Sequence, residues 1–168
     1  MEKKYILSAE LAEMKLRRMA YEILENNPGV STITLAAIHG NGLIVARQLE
    51  HLLKSIASVK VDFVEVNMDK HQPGTAQLAE KIELQGRTII LIDDVTNSGR
   101  VLSYALKPFL EGYPERIQSL VLVERSHKTF PIHPDYVGLS LSTTLHEHIS
   151  VEVDHDRVTG AWLSESPQ

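Results

Sequence analysis

Cysteine is absent from this sequence. That excludes a disulfide framework, a thiolate nucleophile and any zinc or iron–sulfur centre held by thiolates. It is compatible with a reducing compartment, so a cytoplasmic location is the expectation. An excess of basic charge is absent too: 17 Lys and Arg stand against 22 Asp and Glu, a formal net charge of −5. A protein basic throughout and built to coat nucleic acid is therefore disfavoured, while a local basic patch stays open. No apolar run approaches the roughly 20 residues of a membrane span. Residues 1–8 return to polar side chains too soon to form the apolar segment of a signal peptide. There is no internal repeat and no low-complexity stretch. What remains, 43% hydrophobic and 23% charged over 168 residues, suits one domain spanning 1–168 with a core of its own.

The periodicities give an alternating series of elements. A helix follows Ser8, whose hydroxyl suits a cap, with Leu11, Met14, Met19, Ile23 and Leu24 near one stripe; it ends in the turn chemistry of residues 26–29. Residues 31–38 read as a buried strand, 39–42 as a loop and 43–56 as a helix. Residues 59–66 alternate with strand period. A loop over 67–75 contains Pro73-Gly74, and 76–84 fits a short helix or a strand. Residues 87–93 are the strongest buried-strand candidate, followed by a polar loop over 94–99. A helix over 100–111 carries Leu102, Leu106 and Leu110 on one face, and Pro108 is expected to kink it. Strands are expected at 117–124, 136–142, 149–154 and 161–163. This order predicts an α/β fold with a largely parallel central sheet flanked by helices and a small strand-rich addition. In such sheets ligands sit outside the carboxyl ends of the strands, which directs attention to the loops 39–42 and 93–100.

The second of these loops carries the chemistry. An apolar strand runs into Asp93 and Asp94, then Val95, Thr96, Asn97, Ser98, Gly99 and Arg100. Free amides where a loop enters a helix suit a phosphate; Gly99 lets the backbone approach it, and Thr96 and Ser98 add hydroxyls. Two carboxylates repel that phosphate, so they make sense facing sugar hydroxyls, a Mg²⁺ shell or a cationic transition state. The simpler reading makes Asp93 and Asp94 caps of the following helix.

This strand–acid–acid–loop–Gly unit resembles the phosphoribosyl pyrophosphate (PRPP) motif of the type I phosphoribosyltransferases. Residues 6–25 and the run 120–138, Leu-Val-Leu-Val-Glu-Arg-Ser-His-Lys-Thr-Phe-Pro-Ile-His-Pro-Asp-Tyr-Val-Gly, resemble the branch of bifunctional pyrimidine operon regulators and uracil phosphoribosyltransferases. The resemblance implies a type I phosphoribosyltransferase-like core. It also implies transfer of phosphoribose from PRPP to a nucleobase, uracil first, with release of pyrophosphate and with Mg²⁺. It assigns Asp93 and Asp94 to the ribose hydroxyls, residues 95–100 to the 5′-phosphate, and His39, Gly40, Asn41 and Gly42 to the pyrophosphate loop. It implies a homodimer or larger homo-oligomer, with RNA a less favoured partner.

The chain departs from that family at three places. The loop 39–42 lacks the Arg that relatives carry there, leaving His39 and backbone amides, and a plain strand–helix turn is the alternative reading. Residues 67–75 are shorter than the family's lid; Lys70 and His71 are candidate substitutes, against an ordinary solvated loop. Val101 stands where many relatives have Thr. Glu124 and Arg125 resemble the base region of the pyrimidine branch, with a surface ion pair as the alternative. His146 and His148, with His155, read as exposed loop rather than metal ligands. Lys15, Arg17 and Arg18 read as a solvated helix face rather than an RNA contact. A second function stands beside the enzyme: a nucleotide-sensing regulator that keeps the ribose-phosphate pocket but transfers weakly or not at all.

Overall fold

The computed structural model describes residues 3–165. Its elements run β1 (Lys4–Ser8), α1 (Ala9–Asn26), β2 (Thr32–Ile38), α2 (Asn41–Ile56), β3 (Lys60–Asn67), a 3₁₀ turn (Pro73–Thr75), β4 (Gln77–Leu78), β5 (Thr88–Thr96), α3 (Arg100–Ala105), α4 (Lys107–Leu110), β6 (Arg116–Arg125), β7 (Tyr136–Leu141), β8 (Glu147–Asp154) and β9 (Arg157–Glu165). One sheet has the order β4-β3-β2-β5-β6-β7; a second has the order β1-β9-β8. In the larger sheet only β4 is antiparallel to its neighbour.

The uninterrupted apolar runs become the middle of the larger sheet because both faces are covered there. Their residues divide with period two. Ile33, Leu35, Ile90, Ile92, Leu120 and Leu122 pack into one core with α1, α2 and the small sheet. Ala36, Ile38, Ile89, Leu91 and Val121 pack into the other with Leu102, Ala105 and Phe109 of α3 and α4. At the amino ends of the strands, Arg87 donates to Thr34 Oγ1 at 3.0 Å and Asp62 Oδ2 at 2.6 Å, linking β2, β3 and β5. This bond, foremost, holds the Asp62 carboxyl below its usual range. β3 and β5 lie on opposite sides of β2, so the chain reverses its winding between β2 and β5. The crevice where ligands of such sheets bind therefore opens where these two strands end.

Several expectations are corrected, and one strand is unexpected. β1 is a strand, although its sequence offers only Ile6 and Leu7 between polar residues; it exists because β9 pairs with it. β9 itself is longer than the expected 161–163. On α1, Ser8 caps as expected, accepting from the Leu11 amide at 3.2 Å, but the buried face is Ala12, Leu16, Met19, Ala20 and Ile23. Leu11 and Met14 are exposed, because small Ala12 and Ala20 let the helix lie close and set its rotation. β5 continues through both acids to Thr96, since β6 offers ladder partners as far as Glu124 opposite Thr96; the polar loop is thus only residues 97–99. The helix expected over 100–111 breaks at Leu106, ahead of Pro108 in the first turn of α4. The break buries Phe109 and leaves Leu110 62% exposed, so the three leucines do not share a face. The ambiguous stretch 76–84 contributes only the short strand β4.

Arg18 joins α1 to β7, donating to the carbonyls of Val137 at 3.0 Å and Gly138 at 3.1 Å. Gly138 lies against β6 so closely that an added Cβ would meet the Leu122 carbonyl oxygen at 2.4 Å. Gly138→Ala is expected to destabilise the protein by about 1–3 kcal/mol, the range for an overpacked core. In thermal melts that is about 2–4 °C per kcal/mol for a chain of this size. An unchanged melting temperature would show that β6 and β7 spread apart without cost.

Candidate active site

Asp93 is the first charged residue after the apolar run of β5, and it is only 1% exposed. Burying a carboxyl is unfavourable unless it is paired or protonated. Its Oδ1 accepts the Asp94 amide at 2.9 Å and the Lys70 ammonium at 2.8 Å. The same Nζ lies 3.6 Å from Asp94 Oδ1. Burial, and then the charge of Asp94, push the Asp93 carboxyl up to about 8, with Lys70 pulling the other way. Burial works against the Lys70 ammonium, but the two carboxylates outweigh it and raise its pKa. Lys70 is one of the two lid-loop candidates in the sequence. Its sequence signal is only that it lies in the loop after β3, on the ligand edge of the sheet.

A cleft of about 630 Å³ opens over this cluster. It is lined by Asn41, Lys70, residues 93–101 and Ile149, Ser150 and Val151. The acids and the loop 97–99 therefore share one space. Gly99 takes a left-handed conformation with φ 83°, and an added Cβ would meet the Ile132 carbonyl at 3.0 Å. Ser98 Oγ accepts from the Arg100 amide at 3.3 Å, which leaves its hydroxyl hydrogen free to donate. The segment after β6 clasps this loop: the amides of Thr129 and Phe130 both donate to the Ser98 carbonyl at 3.0 Å.

The loop 39–42 is brought to the same edge, but its residues divide. Gly42 starts α2 directly against β5, and a Cβ there would meet Asp93 Oδ1 at 3.1 Å. Asn41 lines the acid cleft and donates to the Val151 carbonyl at 2.9 Å, holding the loop to β8. Gly40 precedes them with φ 97°. The His39 ring turns to Glu65 Oε1 at 2.6 Å and lines a neighbouring cleft of about 640 Å³ with Asn67, Met68 and Asp69. The loop thus lies between two clefts. The alternating side chains of β3 give the reason, since they set Glu65 where it captures the imidazole.

Glu124 and Arg125 do not pair with each other and do not line the acid cleft. As neighbours on a strand they face opposite ways. Glu124 accepts from Lys128 at 3.1 Å, whose side chain is 3% exposed, and Arg125 donates to the Glu147 carbonyl. His146, His148 and His155 are exposed. Among the described residues no group of three or more His, Asp or Glu is placed to hold a metal. Arg17 and Arg18 are engaged with Glu13 and Glu22. No helix among the described residues is long and apolar enough to cross a membrane.

Comparison with known proteins gives concordant results. The family model for the phosphoribosyl transferase domain matches residues 3–157. The bifunctional protein PyrR of Clostridium novyi is 36% identical over 161 residues, covering 90% of each chain. The protein of that name from Enterococcus faecalis is 31% identical over 163 residues, covering 92% of each. The hypoxanthine phosphoribosyltransferase structure of Trypanosoma cruzi superposes with a TM-score of 0.79 at 15% identity, over 98% of this chain and 97% of that one. A hypoxanthine-guanine phosphoribosyltransferase structure from Bacillus anthracis gives 0.73 at 20% identity, over 89% and 87%. At these identities the structures establish the fold, an α/β core of the type I phosphoribosyltransferase kind.

The buried acid has a pH signature. Its folded value, about 8, lies above the ordinary 3.8, so between the two the folded state holds more protons than the unfolded state. Stability from this group is present below about 4 and lost as pH rises through about 8. Asp93→Asn is therefore expected to raise the melting temperature of the ligand-free protein at pH 8 by a few degrees more than at pH 5, on the scale of about 2–4 °C per kcal/mol. An equal effect at both pH values would show that Asp93 ionises normally.

Proposed function

The chain belongs to the phosphoribosyl transferase domain family and is a pentosyltransferase, and from that premise we propose that it transfers phosphoribose from PRPP to uracil, yielding UMP and pyrophosphate. The observation that carries this reading is the meeting of the diacid and the loop 97–99 in one cleft at the winding reversal of the sheet. The choice of uracil is supported by the resemblance of residues 6–25 and 120–138 to the pyrimidine regulator branch and by the PyrR relatives. The hypoxanthine enzymes, below 25% identical, bear on the fold and not on the base.

In this reading Asp93 and Asp94 accept hydrogen bonds from the ribose 2′- and 3′-hydroxyls. Residues 95–100 take the 5′-phosphate through loop amides and the Thr96 and Ser98 hydroxyls, with Gly99 allowing close approach. The pyrophosphate lies along residues 39–42, where Gly40, Asn41 and Gly42 offer amides. Glu124 and Arg125, which face opposite ways and line neither cleft, are given no part in holding the base. A nitrogen of the base attacks the anomeric carbon as the bond to pyrophosphate oxygen breaks, positive charge develops on the ribose, and the proton of that nitrogen is released to solvent or to the departing pyrophosphate. Carboxylates fixed beside that charge favour the transition state. Among the described residues the carboxylates lining the cleft are those of Asp93 and Asp94, a small set that suits Mg²⁺ held mainly by the ligand's own phosphates. Held there beside Asp93 and Asp94, Mg²⁺ would supply positive charge to the diphosphate leaving group. One domain over 1–168, a cytoplasmic location and a homo-oligomer complete the reading. Exposed Leu11, Met14 and Tyr21 on α1 give an association surface to test by sedimentation.

The capture of His39 by Glu65 favours one second reading, a nucleotide-sensing regulator with weak transfer. RNA remains the less favoured partner, because Arg17 and Arg18 are already engaged.

Incubation with PRPP, Mg²⁺ and a panel of bases is expected to release pyrophosphate, fastest with uracil. Asp93→Asn/Asp94→Asn is expected to slow release by roughly 10²–10³, the usual loss when an electrostatic stabiliser is removed. Nucleotide binding without turnover on any base would select the regulator instead.

A further inference from the structure

The loop assigned to pyrophosphate contains no Lys or Arg, and its one titratable side chain is turned to Glu65. Cations lining the acid cleft are Lys70 and Arg100. Lys70 is spent on the diacid, but the two sides of that ion pair differ. The Asp93 side chain is 2% exposed and fixed within the sheet; the Lys70 side chain is 37% exposed. Lys70 lies on a segment without helix or strand, tied down at buried Val66 before it and buried Pro73 after it. This segment borders both clefts, Lys70 the one over the acids and Asp69 the one beside His39.

We propose that Lys70 is a built-in counter-ion that changes partner, neutralising the Asp93–Asp94 pair in the free protein and moving to the ligand's pyrophosphate when ribose hydroxyls take over the carboxylates. The proposal rests on the phosphoribosyl reading above. Two adjacent carboxylates, one of them buried, repel each other and need a cation or donors near them. Ribose hydroxyls supply donors but no charge, so an ammonium displaced by them needs a new anion. A diphosphate along residues 39–42 supplies it, in the place where the chain has no guanidinium. Both exchanges are favourable only for a ligand that carries ribose hydroxyls and pyrophosphate together. A nucleoside monophosphate completes only the first exchange and leaves Lys70 without its anion. Lys70 is in this sense a ligand-binding residue that makes recognition of the ligand's two ends interdependent.

The test is calorimetric binding of PRPP with Mg²⁺, and separately of UMP, to the wild type, Lys70→Met and Lys70→Arg. Lys70→Met is expected to weaken PRPP by about tenfold or more, the scale of one charge-assisted hydrogen bond. It is expected to leave UMP binding unchanged or tighter, because a competitor for the carboxylates is gone. Lys70→Arg should recover most of the PRPP affinity. A smaller effect on PRPP, or an equal loss for both ligands, overturns the proposal. A wild type that binds neither ligand overturns the phosphoribosyl reading itself. A crystal structure of the wild type with PRPP and Mg²⁺ adds a readout independent of affinity. Lys70 Nζ should lie beyond 4 Å from Asp93 and within hydrogen-bond reach of the diphosphate; retention of the 2.8 Å contact overturns the exchange.

Discussion

The ligand edge of this protein is organised around one carboxyl group taken out of water. Asp93 ends the apolar run of β5 at a depth where a charge is costly, and its neighbours are arranged around that cost. The start of α2 comes so near that only a residue without a Cβ fits comfortably at position 42. The segment after β3 delivers an ammonium from the other side, and the amide of Asp94 supplies a further donor. Strand, helix and loop are thus held together by a group that is itself unfavourable to bury. With the Asp93 carboxyl pushed up to about 8, the site stays close to the point where it gains or loses its proton.

The sheet is legible in the sequence where burial is complete. Within the expected strands 31–38, 87–93 and 117–124, the runs 33–38, 89–92 and 120–123 are buried at every position, and such runs have few alternatives to a covered strand. β1 is not legible for the opposite reason. Its Lys4, Tyr5 and Ser8 are exposed, and what makes it a strand is a partner far along the chain. The rotation of α1 is likewise a tertiary decision. Large Leu11 and Met14 look like core, but two alanines make the closer contact. Pro108 is readable as a break, whereas which side chain the break buries depends on the register of two short helices.

At the site, backbone positions are more legible than side-chain directions. The order strand, acid, acid, small polar loop, helix locates residues 93–100 because each part has a local cause. That β5 runs on to Thr96 has no such cause; it follows from the length of β6 beside it. The directions of His39, Glu124 and Arg125 are set by Glu65, Lys128 and the Glu147 carbonyl, and no local pattern announces those partners. Lys70 shows the limit most clearly. It is one lysine in a polar loop until the fold lays that loop across two carboxylates 23 residues further on.

The wall of the acid cleft formed by Ile149, Ser150 and Val151 belongs to the small sheet, where β8 pairs with β9 as a hairpin and β1 adds from far along the chain, Lys4 opposite Leu163. Closing a loop of that size has a high entropic cost, and such pairings form late. The parallel core needs only nearer neighbours. A ribosome-bound chain can therefore assemble β2 to β7 while β1 still waits for a strand not yet synthesised. The Asn41 side chain, which ends on the Val151 carbonyl, has no anchor until β8 is in place. The wall that closes the diacid on this side comes from residues made after the whole parallel core, so the cleft is completed only once β8 follows β7.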